Sequence, residues 1–433
     1  MLENALNAIL RKSISTGSLR ITYPSGRQES YGDGSGTPLA IRFKDAAALR
    51  SVMLDPGLAA AERYMDGGLV VEQGSIYDLI AIAKSNTRPE LAGPVARLQH
   101  ARRSVVAAPV LHAIGLKAAR ANVAHHYDLD ERLYRLFLDG DMQYSCAYFE
   151  RPDMTLDQAQ LAKKRLIASK LLVRPGARVL DIGCGWGGLA LYLARVCDAD
   201  VTGITLSQEQ HRVATERAAA AGLSDRVRFR LQDYREVPET FDNIVSVGMF
   251  EHVGLRQYPV FFRTVKRLLA EDGVALLHSM AQSERAAYNQ PFIEKYIFPG
   301  GYIPAFAEVA PAVEAAGLLT RDVEILTLHY AETTREWRRR FLERREDVLK
   351  LYDERFIRMW EFYLAGSEAA FRFDALHVFH LQMARRQERV PLTRNYIPEA
   401  QARLAAAELA VPEYAALHDL PRVMPATRRS ATS

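Results

Sequence analysis

Cysteine is scarce in this chain, which has 433 residues and three thiols, Cys146, Cys184 and Cys197. So few cysteines do not form the paired framework of a disulfide-rich secreted protein. The first residues of the chain also lack the basic segment and the apolar stretch of a secretory leader. We therefore expect a protein of the reducing cytoplasm.

Long apolar runs and a strong net charge are missing as well. The longest weakly charged apolar run, residues 104–116, is shorter than a bilayer span and contains Pro109 and His112. The chain is therefore not expected to cross a membrane, and any membrane contact is expected to be peripheral. A net charge of +4 is too small to indicate a nucleic-acid partner, and none is expected.

What the chain does have is a glycine cluster behind a short apolar stretch, in residues 179–188, followed by a helix-like apolar pattern in residues 189–195. This order predicts a strand, a tight turn against a ligand and a helix behind the turn. Gly183, Gly185 and Gly188 also match the dinucleotide fingerprint, but that match alone is a weak signal.

Two features favour S-adenosylmethionine over a nicotinamide dinucleotide in this turn. Asp181 stands two residues before the first glycine, where its carboxylate could attract a sulfonium or an α-amino group. The second predicted strand, residues 200–204, is followed by Thr205-Leu206-Ser207. A dinucleotide site would carry a carboxylate there for the ribose.

Strands and helices continue to alternate after the turn. A helix is predicted over residues 208–221, and further strands over 227–231, 241–247 and 273–277. Such alternation is typical of an α/β fold with a doubly wound, mostly parallel sheet, the Rossmann-like arrangement of class I methyltransferases. Five polar residues fall at the carboxyl ends of these strands, where ligands collect in such sheets: Asp181, Thr205, Asp233, Glu251 and His278.

Four segments are predicted along the chain. Residues 1–90 form a small α+β domain, interpreted as a folding, lipid-binding or dimerisation module. Residues 91–123 form a basic amphipathic linker, residues 124–395 form the methyltransferase domain, and residues 396–433 form a frayed C-terminal tail.

Several stretches keep two interpretations. In residues 97–120 every ionisable side chain is basic or histidine, which fits a segment lying on anionic headgroups and equally an interdomain linker. The aromatic, Gly/Pro-punctuated insertion 284–304 suits a lid or an apolar substrate channel, or a cover for a sheet edge. The long helical stretch 333–360 has an arginine-rich face that is interpreted as solvated. Cys146, among aromatic residues, suits packing or chemistry.

Six motifs occur in order, in residues 144–149, 181–188, 205–210, 250–254, 296–301 and 329–337. Together they resemble the cyclopropane-fatty-acyl-phospholipid synthases and the related mycolic acid cyclopropane synthases. The N-terminal domain is similar to the extra domain of the bacterial members that act on phospholipids. This similarity favours membrane lipid over a carrier-bound acyl chain.

The resemblance implies methyl transfer from S-adenosylmethionine to the cis double bond of an unsaturated acyl chain in a membrane phospholipid, followed by closure of a cyclopropane ring. The family holds a bicarbonate as the base that takes a proton from the carbocation, and no metal is implied. Carried over to this chain, the bicarbonate would lie in a set of residues that we call the cradle: Cys146, Glu251, His278, Tyr330 and the main chain at Met280.

The resemblance also implies a set of cofactor contacts, which are Tyr144, Ser145, Asp181, Gly183, Cys184, Gly185, Trp186, Gly187, Gly188, Thr205, Leu206, Ser207, Gln210, Gln232 and Asp233. Two departures from the family stand out. Ser367 takes the place of a frequent cysteine, which puts any role for a thiol there in doubt, and Met280 replaces a usual isoleucine. The second change is harmless if only the main chain is used.

Taken singly, Glu251, His278 and Tyr330 also fit ordinary structural roles. Three rival functions follow: a relative that stops at a methyl- or methylene-branched product, a small-molecule methyltransferase, and a non-catalytic membrane-binding protein. The expected partner is unsaturated phospholipid at the inner face of the membrane, reached from the cytoplasm. The sequence leaves open whether the chain forms a homodimer.

Overall fold

The structure is a computed structural model that describes residues 1–86, 130–283 and 290–420. The predicted basic linker, residues 91–123, and the end of the chain from residue 421 lie outside the described residues. The chain forms two compact units. The first comprises the described residues of 1–112, 285–301 and 334–376, and the second those of 113–284, 302–333 and 377–433.

The first unit contains a four-stranded sheet in the order β2-β1-β3-β4, in which β1 and β3 are parallel and the other pairs are antiparallel. Its strands are β1 (Leu19–Thr22), β2 (Gln28–Tyr31), β3 (Leu39–Phe43) and β4 (Leu69–Gln73). Its first helices are α1 (Leu2–Ser13), α2 (Ala46–Leu54), α3 (Pro56–Met65) and α4 (Ile76–Ser85). The predicted N-terminal α+β arrangement is confirmed.

Local sequence explains these elements. Along β1, Leu19 and Ile21 are buried and Arg20 is exposed, which is the period of a strand with one face on a core. The side chain of Asp45 caps α2 by accepting a hydrogen bond from Ala48 N at 2.8 Å. Such caps supply partners for main-chain N–H groups that the first helical turn leaves unpaired.

The second unit is built on a seven-stranded sheet, which is mostly parallel. Its strands are β5 (Arg178–Ile182), β6 (Asp200–Thr205), β7 (Val227–Leu231), β8 (Phe241–Val247), β9 (Leu269–Gln282), β10 (Leu319–Leu326) and β11 (Leu376–Ala384). Their order is β10-β11-β9-β8-β5-β6-β7, with β10 antiparallel to β11. The helices of this part of the chain are α5 (Glu131–Phe137), α6 (Leu156–Leu171), α7 (Gly188–Val196), α8 (Gln208–Ala220), α9 (Tyr258–Leu268) and α11 (Phe306–Ala315).

The central strands are buried on both faces, as their unbroken apolar sequence predicts. Val179, Leu180, Val201 and Val245 are almost completely shielded from solvent. Strands of this kind need helices on both sides of the sheet. The predicted doubly wound, mostly parallel α/β fold is confirmed, and its strand ends place the polar residues of the candidate site along one edge.

The long helical stretch predicted over residues 333–360 is three separate helices, α12 (His329–Glu343), α13 (Arg345–Leu349) and α14 (Glu354–Phe373). A new helix begins at residue 354 because the side chain of Asp353 accepts a hydrogen bond from Phe356 N at 2.8 Å. Within the first unit, α14 packs against α3 and α4. The strand predicted over residues 273–277 is likewise longer, since β9 extends from Leu269 to Gln282.

The predicted frayed tail is wrong for residues 396–418. They form α15 (Tyr396–Glu408) and α16 (Pro412–His418), and both helices pack against α6. Glu408 orders this region because its buried carboxylate accepts from Arg165 at 2.6 Å and from the Tyr192 hydroxyl at 2.7 Å. His418 Nε2 lies 2.9 Å from the same carboxylate. A charge buried in this way needs such partners.

The part of the aromatic insertion that is described contains α10 (Pro291–Tyr296), and its residues 290–301 belong to the first unit. The ring of Phe292 packs against Phe362 with centroids 4.9 Å apart, and the Tyr296 hydroxyl donates to Glu62 at 2.9 Å. Residues 284–289 of the insertion lie outside the described residues. In the described ranges, every helix is too short or too polar to span a bilayer.

Candidate cofactor cavity and catalytic cradle

A cavity opens where β5, β6 and β8 end, in front of the glycine turn. Twelve of the predicted cofactor contacts line it, namely Tyr144, Ser145, Asp181, Gly183, Cys184, Gly185, Trp186, Thr205, Leu206, Gln210, Gln232 and Asp233. The three other predicted contacts, Gly187, Gly188 and Ser207, are not among the described residues that line it. The assignment of a ligand to these residues stays a prediction.

The glycines of the turn serve two purposes. Gly185 lines the cavity with a φ of +53°, and a Cβ atom there would point into open space. Gly188 begins α7, and a Cβ atom there would clash with Gln143 Nε2 and Asp141 Oδ2. Gly185 therefore leaves room at the cavity wall, whereas Gly188 allows the loop before α6 to approach the helix.

Ser207 and Thr205 shape the cavity from the end of β6. Ser207 is the N-cap of α8 and accepts a hydrogen bond from Gln210 N at 3.2 Å. The Thr205 hydroxyl donates to Gln210 Oε1 at 2.8 Å, so Gln210 is held in place from both sides. Ser207 thus acts on the cavity through its neighbour rather than as part of the wall.

Asp181 is the charged group with the clearest need of a ligand. It is 1 % exposed, and none of the described residues donates a hydrogen bond to its Oδ2 atom. Burial raises the pKa of its carboxyl to about 7, although the nearby ammonium of Lys163 acts in the opposite direction. An unpaired buried carboxyl at a cavity wall favours a cationic ligand.

Lys163 and Gln160, on the buried α6, hold the loop that carries Tyr144 and Ser145. Lys163 Nζ donates to Gln143 Oε1 at 2.7 Å and to Ser145 Oγ at 2.8 Å. Gln160 Nε2 donates to the carbonyl oxygen of Ser145 at 2.9 Å. Burial lowers the pKa of Lys163 to about 8. These two residues were missed from the sequence, where polar residues in the middle of an otherwise inward-facing helix were the available signal.

Glu251 lies in a short 3₁₀ turn after β8, with its carboxyl buried. Its Oε1 atom accepts from Met280 N at 2.6 Å, while within the described part of the chain no donor reaches Oε2. Burial raises the pKa of this carboxyl, which favours its protonated form. The main-chain N–H of Met280, predicted to hold an anion, is here used by Glu251.

His278, on β9, is connected to the cavity edge through the main chain, because its carbonyl oxygen accepts from Gly248 N at 3.0 Å. Gly248 lines the cavity. The ring of His278 is buried, and its Nδ1 atom lies 2.8 Å from Nε2 of His380. Burial lowers the pKa of His278 well below its ordinary value, so the ring is neutral.

Cys146 and Tyr330 belong to neighbouring segments. Cys146 is completely buried, its thiol donates to the carbonyl oxygen of Ala147, and burial raises its pKa, so it is no nucleophile at neutral pH. Ala147 N donates to Thr333 Oγ1 at 3.0 Å, which joins this segment to the first turns of α12, where Tyr330 lies half-buried. None of the five cradle residues is among the described residues that line the cavity.

The cavity also includes residues that the sequence did not predict. His252, next to Glu251, lines it with a ring whose pKa burial lowers to about 4. Met249 and Arg235 line it as well. The available signal for His252 was its place inside the motif of residues 250–254.

Comparison with known families gives this arrangement its context. The family model described as mycolic acid cyclopropane synthetase matches residues 115–381. The chain belongs to this family. A second model, described as a domain of unknown function, matches residues 5–92, which include most of the predicted N-terminal domain.

Family members of known name resemble the chain over most of its length. It is 37% identical to a cyclopropane-fatty-acyl-phospholipid synthase of Escherichia coli strain K12 over 350 residues, which is 80% of this chain and 88% of that protein. It is 35% identical to a tuberculostearic acid methyltransferase of Mycobacterium tuberculosis strain H37Rv over 405 residues, which is 88% of this chain and 90% of that protein. The predicted family is therefore confirmed.

A solved structure of the family has the same fold. A mycolic acid cyclopropane synthase in complex with SAH and CTAB matches with a TM-score of 0.58 and 36% sequence identity. The match covers 61% of this chain and 97% of that one.

Proposed function

We propose that this chain transfers a methylene group from S-adenosylmethionine to the cis double bond of unsaturated acyl chains in membrane phospholipids, giving cyclopropane fatty acids. The single observation that carries the proposal is the buried carboxyl of Asp181, whose Oδ2 atom faces no donor among the described residues at the wall of the glycine-turn cavity. A sulfonium donor carries a positive charge close to its own carboxylate and amino groups. The name of the Escherichia coli relative, a cyclopropane-fatty-acyl-phospholipid synthase, supports the proposed reaction, and the SAH-bound structure supports the choice of cofactor.

The reaction requires that the cofactor and the double bond are held in position and that water is excluded. An alkene is a weak nucleophile, so the methyl group and the double bond must be held in line while the carbon–sulfur bond breaks and the new carbon–carbon bond forms. The resulting carbocation must then be kept from water until a proton leaves the added methyl group and the ring closes. Lys163 holds Ser145 at the cavity wall, and the hydrogen bond from Gly248 N to the carbonyl oxygen of His278 joins one predicted cradle residue to the same wall.

We further propose that the cradle holds a bicarbonate, which when bound would supply the base for this proton. The fit is supported by Glu251, whose Oε2 atom lacks a donor among the described residues and whose raised pKa lets the carboxyl act as a hydrogen-bond donor. The neutral ring of His278 can donate as well. The N–H of Met280 becomes available to an anion only if Glu251 releases it.

The test is an incubation of the whole protein with S-adenosylmethionine deuterated in its methyl group and vesicles of mono-unsaturated phospholipid. A cyclopropane product keeps two of the three deuterium atoms, gains one CH₂ equivalent in mass and no longer reacts as an alkene. Binding of the cofactor with no change in the acyl chains would contradict the proposal and favour a non-catalytic lipid-binding protein.

A branched product is the second candidate, because the tuberculostearic acid methyltransferase covers nearly the whole chain at 35% identity. The same experiment separates the two. A methyl branch formed by loss of a proton from the chain keeps all three deuterium atoms and a double bond within the chain, whereas a methylene branch keeps two deuterium atoms and also reacts as an alkene. Either result would replace ring closure by a different fate of the carbocation.

Contact with the membrane surface is proposed on the sequence alone, because the basic residues 97–120 lie outside the described residues. Each basic residue near an anionic surface contributes about 1 kcal/mol, and salt screens this attraction. Activity on anionic vesicles is therefore expected to fall as the salt concentration rises, while activity on zwitterionic vesicles changes little. Activity that does not respond to salt on either would leave this segment as a linker.

A further inference from the structure

A chain of buried polar side chains begins at His278, and its members are not among the described residues that line the cavity. His278 Nδ1 lies 2.8 Å from His380 Nε2, and His380 Nδ1 lies 3.3 Å from Lys170 Nζ. Lys170 in turn forms ion pairs with Glu324 and, at 3.8 Å, with Asp322. The two rings and the ammonium come from β9, β11 and α6 and are at most 2 % exposed.

Lys170, at the far end of this row of side chains, determines which ring nitrogens carry the protons. An ammonium can only donate, so Lys170 assigns the acceptor role to His380 Nδ1. Burial lowers the pKa of Lys170, but Glu324 and Asp322 oppose that shift and favour the charged form. Arg394, a further charged group that acts on Lys170, is itself paired with Asp322 at 2.9 Å.

The charge on Lys170 also keeps His380 neutral. The pKa of His380 lies well below its ordinary value because the ring is buried and because the ammonium of Lys170 is close, with His278, Lys163 and His329 acting in the same direction. A neutral ring that accepts at Nδ1 must carry its proton on Nε2. That N–H points to His278 Nδ1, which then accepts, so the proton of His278 must be on its own Nε2 atom.

We propose that Lys170 and His380 are positioning residues that lock His278 in the Nε2–H tautomer, so that it presents a donor, and never a lone pair, to the oxygen of an anion held next to Glu251. The inference rests on the proposed function in placing His278 in the cradle. Its chemical consequence is that His278 orients the base and does not compete with it for the proton. An imidazole with a free Nε2 lone pair would repel a bound anion.

The tautomer can be read without any measurement of activity. The whole protein, labelled with ¹⁵N in its histidines, is examined by long-range ¹H–¹⁵N correlation between pH 6 and 9, and His278→Gln and His380→Gln assign the two rings by loss of signal. We expect both rings to carry their proton on Nε2. A proton on Nδ1 of His278, or a doubly protonated ring in this range, would overturn the proposal.

Substitution of Lys170 tests whether this lysine sets the tautomer of His278. Lys170→Met is expected to leave the His278 ring as a mixture of tautomers, and an unchanged tautomer would contradict the role of Lys170. The matched control is Lys164→Met, which removes another buried ammonium of α6, one paired with Asp141. It should lower stability and leave the tautomer of His278 as it is. If Lys170→Met fails to fold, the tautomer of His278 in the unmodified protein still tests the proposal.

Kinetics separate a positioning role from a structural one. His380→Gln keeps a donor close to the position of Nε2, whereas His380→Met removes it. We expect His380→Met to lower kcat by about 10- to 100-fold with an unchanged KM for the cofactor, and His380→Gln to recover most of that loss. Equal kcat values for the two variants would overturn the proposal. If the unmodified protein made no product but showed the tautomer, the proposed function would fail and the histidine assignment would stand.

Discussion

The cavity and the cradle both contain a buried carboxyl with an oxygen that no described residue pairs, yet the two are built differently. Asp181 lies next to the end of β5 and faces a cavity that the glycine turn helps to line. Glu251 is fixed by a hydrogen bond from Met280, which comes from another strand. The difference teaches that substitutions at the cavity should change cofactor affinity, whereas substitutions in the cradle should change turnover.

The largest expected effect comes from Glu251→Gln, which keeps the shape of the side chain and removes its acid. General acid–base groups contribute about 10²- to 10⁴-fold, so product formation should fall by that factor. Calorimetry should show a dissociation constant for S-adenosylmethionine that changes by less than about threefold, since the Glu251 side chain is absent from the cavity wall. Glu314→Gln, at an exposed position, is the control. A matching loss of affinity would erase the contrast between the two regions.

Asp181→Asn should have the opposite signature. A hydrogen bond to a charged group is worth about 1.5–3 kcal/mol, so the dissociation constant of the cofactor should rise by about 10- to 100-fold. At saturating cofactor, kcat should stay within about threefold, because the substitution acts on binding. Asp225→Asn, on an exposed turn, should change neither quantity. A fall in kcat with unchanged affinity would assign Asp181 to the reaction itself.

The pH dependence of binding sharpens the same point. In the ligand-free protein the pKa of Asp181 is raised to about 7 by burial, so below that pH a cation must displace a proton to bind. Affinity is therefore expected to increase with pH up to about 7, by up to about tenfold per pH unit, and then to level off. Titration calorimetry at several pH values checks this, and Asp181→Asn should remove the slope. A slope that survives the substitution would point to another titrating group.

The smallest effects on the reaction are expected from the two glycines, and they should divide between stability and cofactor binding. Gly188→Ala forces Gln143 and Asp141 to move and should lower the free energy of unfolding by about 1–3 kcal/mol, measured in urea. Gly185→Ala meets open space, so its backbone strain should cost about 1 kcal/mol and its methyl group should weaken cofactor binding. If Gly188→Ala weakened binding without any loss of stability, its packing role would be wrong.

The sequence predicted the sheet and about half of the residues that line the cavity, because both depend on local patterns. Buried parallel strands are short apolar runs, and the glycine turn follows one of them directly. Even there, Gly187, Gly188 and Ser207 were predicted as contacts and are not among the described residues that line the cavity. A sequence motif includes residues that line the cavity and also residues that only hold the lining residues in place.

The side chains that hold the cradle could not be predicted, because their partners are remote in sequence. His278 and His380 are 102 positions apart, and Lys170 and Glu324 are 154 apart. No periodicity relates such pairs, since a crossover topology decides which strands become neighbours. The frayed tail was predicted because chain ends are often poorly ordered. The hydrogen bond from Arg165 to Glu408, 243 positions apart, could not be predicted from the sequence because these partners are also remote.

The carboxylate of Glu408 has a practical consequence for anyone who trims this protein. A gene product ending at residue 395 would retain every residue of the cavity and the cradle, yet Tyr192 would lose its acceptor. Among the described residues, Arg165 would keep Glu150, at 3.2 Å, and lose its closer partner Glu408, at 2.6 Å. We expect such a fragment to be recovered insoluble. The inactivity of the fragment would then result from the buried guanidinium of Arg165, which would lack the carboxylate of Glu408. It would carry no information about the catalytic residues.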